Sequence, residues 1–246
     1  MSLKKVVIVG GHGKVALRLA GLIASKHSIT SIIRDPAHSA DLKAISTDIT
    51  PLVLSLEDSP VSEFSSAFTD AATVVFSAGA GGNGGAERTR KVDYEGALKV
   101  FDAIEAVAGP KPHLVLVSAL DVRDPNKIPE HYTEEDKNVS ERVRSRIKDY
   151  MHWKYEADKN LVARTAFTWT ILRPGGLTEG PGTGKASIGR THMIPTIPRG
   201  DVANALAALV DRPDAAGLAI DIVGGETLIS EGIDAFIKKG VTDWLG

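Results

Sequence analysis

A tyrosine and a lysine stand four residues apart in the stretch "DYMHWKYEAD", at Tyr150 and Lys154. On a helix, this spacing places the two side chains on one face. A phenol beside an ammonium group can act as a proton donor, because the positive charge favours the phenolate and lowers the tyrosine pKa from its usual value of about 10. The spacing recurs at Tyr155 and Lys159, and either pair can equally be two ordinary residues of a helix surface. The stretch alone therefore leaves both the pair and its role open.

A glycine-rich segment after the first apolar run has the composition of a phosphate-binding loop. It reads "GGHGKVA", with Ala16 where a third glycine often stands. Glycines let the backbone approach the diphosphate of a dinucleotide, which then lies against a helix N-terminus. The segment lies between a predicted strand and a predicted helix, which favours cofactor binding over a ligand-free turn. The predicted cofactor-binding residues here are Gly10, Gly11, His12, Gly13, Lys14 and Val15.

The residues after the second predicted strand bear on the choice of cofactor. Proteins that prefer NAD place an acid there to hold both ribose hydroxyls, whereas proteins that prefer NADP place an arginine nearby. The sequence reads "SIIRDP", with Ile33 at the position of the acid and Arg34 next. Arg34 can pair with a 2′-phosphate and stack on adenine. Asp35 argues for NAD, although an aspartate before Pro36 also suits a helix N-cap. The pattern favours NADP(H) over NAD(H).

Short apolar runs alternate with helical patterns along the chain. Such alternation predicts an α/β fold with a doubly wound parallel sheet covered by helices on both faces. We expect one Rossmann-like domain over residues 1–246, in which residues from about 173 to 246 form a short extension on the substrate side. The predicted strands are 4–9, 28–34, 49–54, 72–77, 113–118, 167–172 and 218–223. The clearest predicted helices are 90–108 and about 140–164, and further helices are predicted from Asp201 and near 230–239.

Glycine-rich or polar segments follow several of these strands, where ligands bind in open α/β sheets. Residues 120–140 form the longest span that we interpret as irregular, and loops of this length are usually functional lids or disordered. A second break, 173–190, is rich in glycine. The glycines of "SAGAGGNGG" (77–85) suit a loop that passes over the adenosine side of a cofactor, and they permit motion. We predict that its first residues, Ser77, Ala78 and Gly79, contact the cofactor.

Composition excludes several classes of protein. The absence of cysteine rules out disulfides, thiolate metal sites and a cysteine nucleophile. A formal net charge of −2 gives no electrostatic reason to expect nucleic acid or an anionic membrane as partner. The histidines show no metal-binding spacing. No signal peptide is evident, and no apolar run reaches the roughly 18 residues of a membrane helix. We therefore expect a cytoplasmic protein that binds neither nucleic acid nor a membrane surface and holds no metal.

These motifs resemble those of the atypical short-chain dehydrogenase/reductase superfamily, in its NmrA-like and biliverdin-IXβ-reductase-like (flavin reductase-like) branch. The most similar members are uncharacterised fungal and bacterial oxidoreductase-like proteins. The branch contains both reductases and proteins that bind NADP as a regulatory signal. The resemblance spans the chain through "VVIVGGHGKVA", "IIRDP", "VVFSAGAGG", "KVDYEGA", "LVLVSAL", "YMHWKYEAD", "WTILRPGGL" and "IPRGDVA", in the order of the family.

The resemblance implies roles for several residues. It makes Lys154 the motif lysine, because a small residue and an acid, Ala157 and Asp158, follow it as in the family. Tyr150 would then donate a proton or hydrogen bond to a substrate oxygen, Lys154 would hydrogen-bond the nicotinamide ribose, and Ser118 would orient the substrate. Tyr155 and Lys159 would lie on the outer face. The backbone of Pro174, Gly175 and Gly176 would line the nicotinamide face.

One departure and several alternatives accompany this resemblance. Asp93 stands where ordinary short-chain enzymes have asparagine, which weakens the case for a water-based proton relay. Arg173 is either a substrate anchor or part of a structural ion pair, and we expect Asp201 to cap its helix. We expect an NADPH-dependent reductase of a small carbonyl, quinone, flavin or tetrapyrrole, and the alternative hypothesis is a redox-sensing NADP-binding regulator without turnover. A homodimer through helices 90–108 and 140–164 is a further possibility.

Overall fold

The computed structural model describes residues 3–80, 85–180 and 182–246. An eight-stranded sheet forms its centre, and most of the strands that build it are apolar on both alternating faces. The strands are β1 (Lys4–Val9), β2 (His27–Ile33), β3 (Thr50–Val53), β4 (Ala71–Phe76), β5 (His113–Val117), β6 (Trp169–Pro174), β7 (Leu177–Thr178), β8 (Lys185–Ile188), β9 (Ile197–Pro198) and β10 (Leu218–Leu228), of which β7 and β9 form a separate two-stranded sheet. The helices are α1 (Lys14–Ile23), α2 (Ser39–Ile45), α3 (Val61–Phe68), α4 (Gly85–Thr89), α5 (Gly96–Ala106), α6 (Glu134–Arg146), α7 (Lys148–Val162), α8 (Arg199–Leu209) and α9 (Ile229–Lys239).

The strand order of the large sheet is β3-β2-β1-β4-β5-β6-β10-β8. All neighbours in it are parallel except β10 and β8, which pair antiparallel at one edge. The chain runs outward from β1 through β2 to β3 and then returns to place β4 on the other side of β1. The carboxyl ends of β1 and β4 therefore flank the point where the strand order reverses, which is where such folds bind ligands. This arrangement confirms the predicted doubly wound α/β fold.

Two apolar cores lie on the two faces of the sheet. One face packs against α1, α8 and α9, and the other against α3, α5 and α7. The second core is the more aromatic, with Phe64, Phe68, Phe76 and Phe101 fully buried. Burial of one such ring stabilises the fold by about 1.5–3 kcal/mol. The two layers hold the carboxyl ends of the strands in fixed positions relative to one another.

The interpretation of residues 120–140 as irregular is wrong for its last part, because α6 begins at Glu134. Thr133 and Asp136 form a capping box, in which each side chain accepts a backbone hydrogen bond at the helix start. The helix predicted over about 140–164 is in fact two helices, α6 and α7, which meet at Ile147. The short strands β7, β8 and β9 were not predicted.

The helix predicted over 90–108 begins with a π-helical segment, Arg90–Glu95, that leads into α5. A π-helical turn widens the helix locally and is frequent at functional sites. Asp93 lies in this segment and is buried. Within the described residues, none of the helices combines the length and apolar character needed to cross a membrane.

Candidate functional site

Two glycines of the phosphate loop are required by the structure, Gly10 by its backbone conformation and Gly11 by a neighbouring side chain. Gly10 has φ of +80°, and a Cβ there would lie 2.6 Å from the Cα of Ala78 in the loop after β4. At Gly11, a Cβ would collide with Ser31 Oγ on β2, and the Gly11 amide donates to the carbonyl of Ile32 at 2.8 Å. The loop thus brings its backbone close to β2 and to the β4 loop, and it opens directly into the N-terminus of α1. This cradle fits the diphosphate of a dinucleotide.

A cleft runs across the carboxyl ends of β1, β4 and β5, formed by two adjoining cavities. One, of about 240 Å³, lies on the side of β2, and the other, of about 510 Å³, lies on the side of β5 and β6. They share Gly13, Ser77, Ala78 and Gly79, so a ligand can extend from one into the other. Predicted site residues on the first cavity are Gly10, His12 and Arg34, and those on the second are Lys14, Val15, Ser118, Tyr150, Lys154, Pro174 and Gly175.

Two predicted cofactor residues line neither cavity. The Gly11 amide bonds to the carbonyl of Ile32 on β2, as described, and the Gly176 carbonyl accepts a hydrogen bond from the amide of Ile197 on β9. His12 lines the first cavity, with its ring stacked on His38 and bonded to Asp41 at 2.7 Å. The part of the 77–85 loop at 81–84 lies outside the described residues.

Among the described residues, the charged ones that line the first cavity are two arginines, Arg34 and Arg88, and one acid, Glu57. Arg34 lines it with a side chain that is 60% exposed and whose nearest acid is Glu57, at 3.9 Å. Arg88 lines the same cavity and was not foreseen from the sequence. The carboxylate of Asp35 accepts from the amide of Ala37 and caps a short 3₁₀ helix, Pro36–His38, as the alternative interpretation of Asp35 expected.

Tyr150 and Lys154 line the second cavity together. Lys154 Nζ lies 5.9 Å from the centre of the Tyr150 ring and donates to the carbonyl of Val117, at the end of β5, at 3.1 Å. The second pair differs: Lys159 is exposed, and Tyr155 stacks on Trp244 near the C-terminus. Of the two pairs, the first is therefore the one that the fold places beside the cleft.

Asp93 supplies the counter-charge for Lys154. The two side chains are buried, with 3.3 Å between Lys154 Nζ and Asp93 Oδ1. The other oxygen of Asp93 accepts from the amide of Ala80 at 2.9 Å, which ties the loop after β4 to α7 through Lys154. Burial alone lowers the lysine pKa, but Asp93, Tyr150 and Asp158 together raise it above its usual value. Lys154 is therefore charged at neutral pH.

The expected lowering of the tyrosine pKa does not hold for the protein alone. Burial raises the pKa of Tyr150, and the attraction of Lys154 for the phenolate does not offset it, because Asp93 and Asp158 repel the same phenolate. Tyr150 is thus a neutral phenol at neutral pH. A neutral phenol can donate a hydrogen bond to a ligand oxygen in the cavity.

Ser118 follows β5 and is held by a hydrogen bond from its amide to the carbonyl of Leu172 on β6, at 2.8 Å. Its hydroxyl donates to Asp158 Oδ2 at 2.6 Å, although the two residues are 40 positions apart. Asp158 lies one helical turn beyond Lys154 on α7 and is fully buried. Burial raises its pKa to about 6, while the bond from Ser118 and the charges of Lys154 and Arg173 act in the opposite direction.

Two further residues with predicted roles, Arg173 and Asp201, bind other groups of the protein and line neither cavity. Arg173 is buried and forms an ion pair with Asp221 at 2.6 Å, so of its two interpretations the structural one is correct. The prediction that Asp201 caps its own helix is wrong, since α8 begins at Arg199. The Asp201 carboxylate instead accepts from the amides of Thr183 and Gly184 and fixes the loop before β8.

A cluster of opposite charges lies at the mouth of the second cavity. Glu179, in the segment after β7, accepts from Lys14 at 2.7 Å and contacts Arg199 at 2.9 Å, with Arg18 at 3.8 Å. The hydrogen bond from Lys14 and the charges of the arginines hold the pKa of Glu179 below its usual range. The cluster joins the starts of α1 and α8 through one carboxylate, and it was not foreseen from the sequence.

The geometry of the loop, the cleft and the strand order agrees with a sequence comparison. The model of a protein family described as NAD(P)H-binding matches residues 10–213. The chain belongs to this NAD(P)H-binding family. Its place among the NAD(P)-binding proteins of the short-chain dehydrogenase/reductase and epimerase type, inferred above from eight motifs, is thereby confirmed.

Relatives of this NAD(P)H-binding protein extend along almost its whole length. A UPF0659 protein of Schizosaccharomyces pombe is 36% identical over 243 residues, which cover 97% of each chain. An uncharacterised sugar epimerase of Bacillus subtilis is 33% identical over 231 residues, covering 93% of this chain and 98% of the relative. Fungal and bacterial relatives are thus both represented, as the resemblance implied.

Solved structures share the fold of this NAD(P)H-binding protein. A protein of Bacillus halodurans described as an NAD-dependent epimerase/dehydratase is 28% identical with a TM-score of 0.77, covering 94% of this chain and 99% of the other. An anaerobilin reductase of Escherichia coli has a TM-score of 0.69 at 20% identity, covering 91% and 98%. A short-chain dehydrogenase/reductase of Veillonella parvula, solved with NADP, has a TM-score of 0.70 at 15% identity, covering 92% and 97%. The last two show the fold alone.

Proposed function

We propose that this NAD(P)H-binding protein is an NADPH-dependent reductase of a small carbonyl, quinone, flavin or tetrapyrrole-like substrate. The observation that carries the proposal is the continuity of the cleft. The phosphate cradle at Gly10–Gly13 opens into the cavity that holds Ser118, Tyr150 and Lys154. A dinucleotide with its diphosphate at α1 has room to reach these three side chains, and a cavity of this size accommodates a small substrate beside it.

The residues of the chain perform binding and proton transfer in this proposal. When bound, a nicotinamide cofactor would supply the hydride that reduces the carbonyl carbon. Tyr150 donates its proton to the carbonyl oxygen, which becomes a hydroxyl, and solvent returns the proton. Lys154 is fixed by Asp93 and Val117, so its ammonium group stays beside the phenol and stabilises the phenolate that forms.

NADP(H) is the proposed cofactor, in preference to NAD(H). Arg34 and Arg88 line the cavity on the side of β2, where an adenosine 2′-phosphate would lie. Guanidinium groups bind phosphate through charge-assisted hydrogen bonds. Asp35, the residue that argued for NAD, is engaged in capping the next helix. Glu57 also lines this cavity and lies 3.9 Å from Arg34, so the preference rests on the one positive charge by which the two arginines exceed this single carboxylate.

A second candidate is an NADP-binding regulator that does not turn over. The observation that favours it is the electrostatic environment of Tyr150. Asp93 neutralises Lys154, and the pKa of Tyr150 is raised rather than lowered. A tyrosine of this kind is a weaker acid than the reductase mechanism would favour, but it still suits cofactor binding.

The two candidates differ in what a bound cofactor does. We would first titrate the protein with NADPH and NADH by calorimetry, and then follow NADPH oxidation with carbonyl, quinone and flavin probes. A reductase binds NADPH and oxidises it with at least one probe, and Tyr150→Phe lowers the rate while leaving NADPH affinity unchanged. Tight binding without oxidation supports the regulator. Absence of binding by either nucleotide contradicts both.

A further inference from the structure

The single hydroxyl proton of Ser118 is engaged in a hydrogen bond to the buried carboxylate of Asp158. Ser118 Oγ lies 2.6 Å from Asp158 Oδ2, and both residues are almost inaccessible to solvent. An ionised carboxylate can only accept hydrogen bonds, so the serine must be the donor in this contact. While Asp158 is ionised, Ser118 therefore offers the cavity only a lone pair.

Tyr150 is the complementary group. Its neutral phenol offers a proton to the cavity that Ser118 also lines. A ligand hydroxyl can accept from Tyr150 and donate to Ser118 at the same time. A carbonyl oxygen has no proton to give, so beside Ser118 it meets a lone pair and loses one of the two hydrogen bonds. An unpartnered buried acceptor of this kind disfavours binding.

We infer that Asp158 is a positioning residue that sets the hydrogen-bond polarity of Ser118. Ionised Asp158 makes Ser118 an acceptor and selects the hydroxyl form of a substrate. Protonated Asp158 donates to Ser118, which turns the serine proton toward the cavity and selects the carbonyl form. The inference rests on the proposed reductase function and extends it to the oxidation state of the substrate that the site prefers.

The surroundings of Asp158 allow both protonation states. Its second oxygen, Oδ1, is buried and has no hydrogen-bond partner in the described part of the chain. The charged or titratable groups near it are Lys154 and Tyr150 on its own helix and Arg173 on β6. Burial raises the carboxyl pKa to about 6, within reach of physiological pH. Carbonyl binding is thus favoured as the pH falls through this value, because the fraction of protonated Asp158 increases.

The pH profile of a model reaction tests the assignment. The probe is 9,10-phenanthrenequinone, reduced with saturating NADPH from pH 5 to pH 8. We expect kcat/KM of the wild type to rise about tenfold as the pH falls through about 6, the effect of one gained hydrogen bond. Asp158→Asn carries an amide that can donate to Ser118 at every pH, so its profile is flat and high. Asp149→Asn, an exposed matched change on α7, keeps the wild-type profile.

A purely structural role for Asp158 gives a different result. If Asp158 had only that role, Asp158→Asn would have a lower kcat/KM than the wild type at every pH, and its kcat/KM would still rise as the pH falls through about 6 (the pH step). This result would overturn the inference. Ser118→Ala separates the serine from the carboxylate. This variant has no hydroxyl to reorient, so the step must be absent and the rate low throughout.

A second measurement needs no turnover and separates failure of the inference from failure of the proposed function. Carboxyl ¹³C shifts of aspartate-labelled protein, with the Asp158 signal identified by its loss in Asp158→Asn, follow the titration of this group in the NADP⁺ complex. We expect a midpoint near pH 6 that moves upward in Ser118→Ala, since the serine bond favours the ionised form. An unchanged midpoint contradicts the pairing. Absence of oxidation with every probe rejects the reductase alone, and the titration then decides the pairing.

Discussion

Lys154 Nζ and Asp93 Oδ1 lie 3.3 Å apart in a buried ion pair between α7 and the π-helical segment before α5. The pair joins the two helices that approach the cleft from one face of the sheet. It also fixes the loop after β4, whose Ala80 amide bonds to the second carboxylate oxygen. Asp93, at the position where the resemblance led us to compare it with the asparagine of ordinary short-chain enzymes, therefore adds a negative charge to the site as well as hydrogen bonds.

Asp93→Asn should destabilise the fold. The variant leaves the Lys154 ammonium buried without a counter-charge, and breaking a buried pair in this way costs about 3–5 kcal/mol. We expect a decrease of this order in the free energy of unfolding, measured with urea at pH 7. The double variant Asp93→Asn, Lys154→Met removes the orphaned charge as well. It should be more stable than the sum of the two single changes predicts, and strict additivity would contradict a direct pair.

Arg34→Ala should change the choice between the two cofactors. Loss of the guanidinium removes a charge-assisted bond to a 2′-phosphate, which is worth about 1.5–3 kcal/mol. We expect NADPH affinity to fall by roughly tenfold to a hundredfold in calorimetry, with little change for NADH. Arg142→Ala, a change on the exposed surface of α6, serves as control. An equal loss for both nucleotides would show that Arg34 does not recognise the phosphate.

Gly11→Ala should disrupt the phosphate loop by a collision with one atom. The new methyl group meets Ser31 Oγ on β2, a buried hydroxyl with no hydrogen-bond partner among the described residues. We expect loss of NADPH binding and a decrease of about 1–3 kcal/mol in the free energy of unfolding, typical of overpacking. Ser31→Ala removes the colliding atom. Combined with Gly11→Ala it should restore part of both properties, whereas no restoration would place the cause in the backbone.

The strand pattern was predictable because it depends on local composition. The predicted run 4–9 coincides with β1, and 113–118 differs from β5 by one residue. The first part of helix α6 escaped prediction because the buried residues of this helix, Asp136 and Ser140, are polar, so the sequence has no apolar stripe of helical period. Its capping box, Thr133 with Asp136, was the local signal available.

The site was predictable only in part. The residues of the Tyr-x-x-x-Lys motif and Ser118 were located through the resemblance, and the structure brings them to one cavity. The bond between Ser118 and Asp158 joins residues 40 positions apart, and no periodicity encodes such a contact. Glu179 and its basic neighbours likewise come from separate parts of the chain and meet only after the sheet has formed.

Asp158→Asn should alter the pH dependence of stability. The folded-state pKa of Asp158, about 6, lies above the unfolded value of about 4. Between these values the folded protein binds more protons, so the contribution of this group to stability falls as the pH rises from about 4 to about 6. The asparagine variant lacks this loss. We expect its free energy of unfolding in urea, relative to the wild type, to increase over this range by at most about 3 kcal/mol, with Asp149→Asn showing no such trend.

Glu179→Gln should strengthen cofactor binding. The carboxylate now occupies Lys14 at the start of α1, and its neutralisation frees that ammonium for the anionic cofactor. Because the pair is exposed, the effect should be modest, about a two- to fivefold higher NADPH affinity in calorimetry. The gain should shrink at high salt, because ions screen surface charges. Glu226→Gln, which removes a second exposed pair, with Lys185, should leave the affinity unchanged. A decrease for Glu179→Gln would mean that the cluster supports the site by holding its loop.

Arg173 contacts three distant parts of the chain at once. Its guanidinium donates to Asp221 on β10, to the carbonyl of Val122 after β5, and to the carbonyl of Asp243 after α9. Asp243 in turn accepts from the backbone amides of Asp221 and Arg190. A shortened chain that ends at α9 would leave this buried guanidinium partly unpaired. Residues 240–246 therefore belong to the folding unit, and any truncation or fusion made for crystallisation or labelling should preserve them.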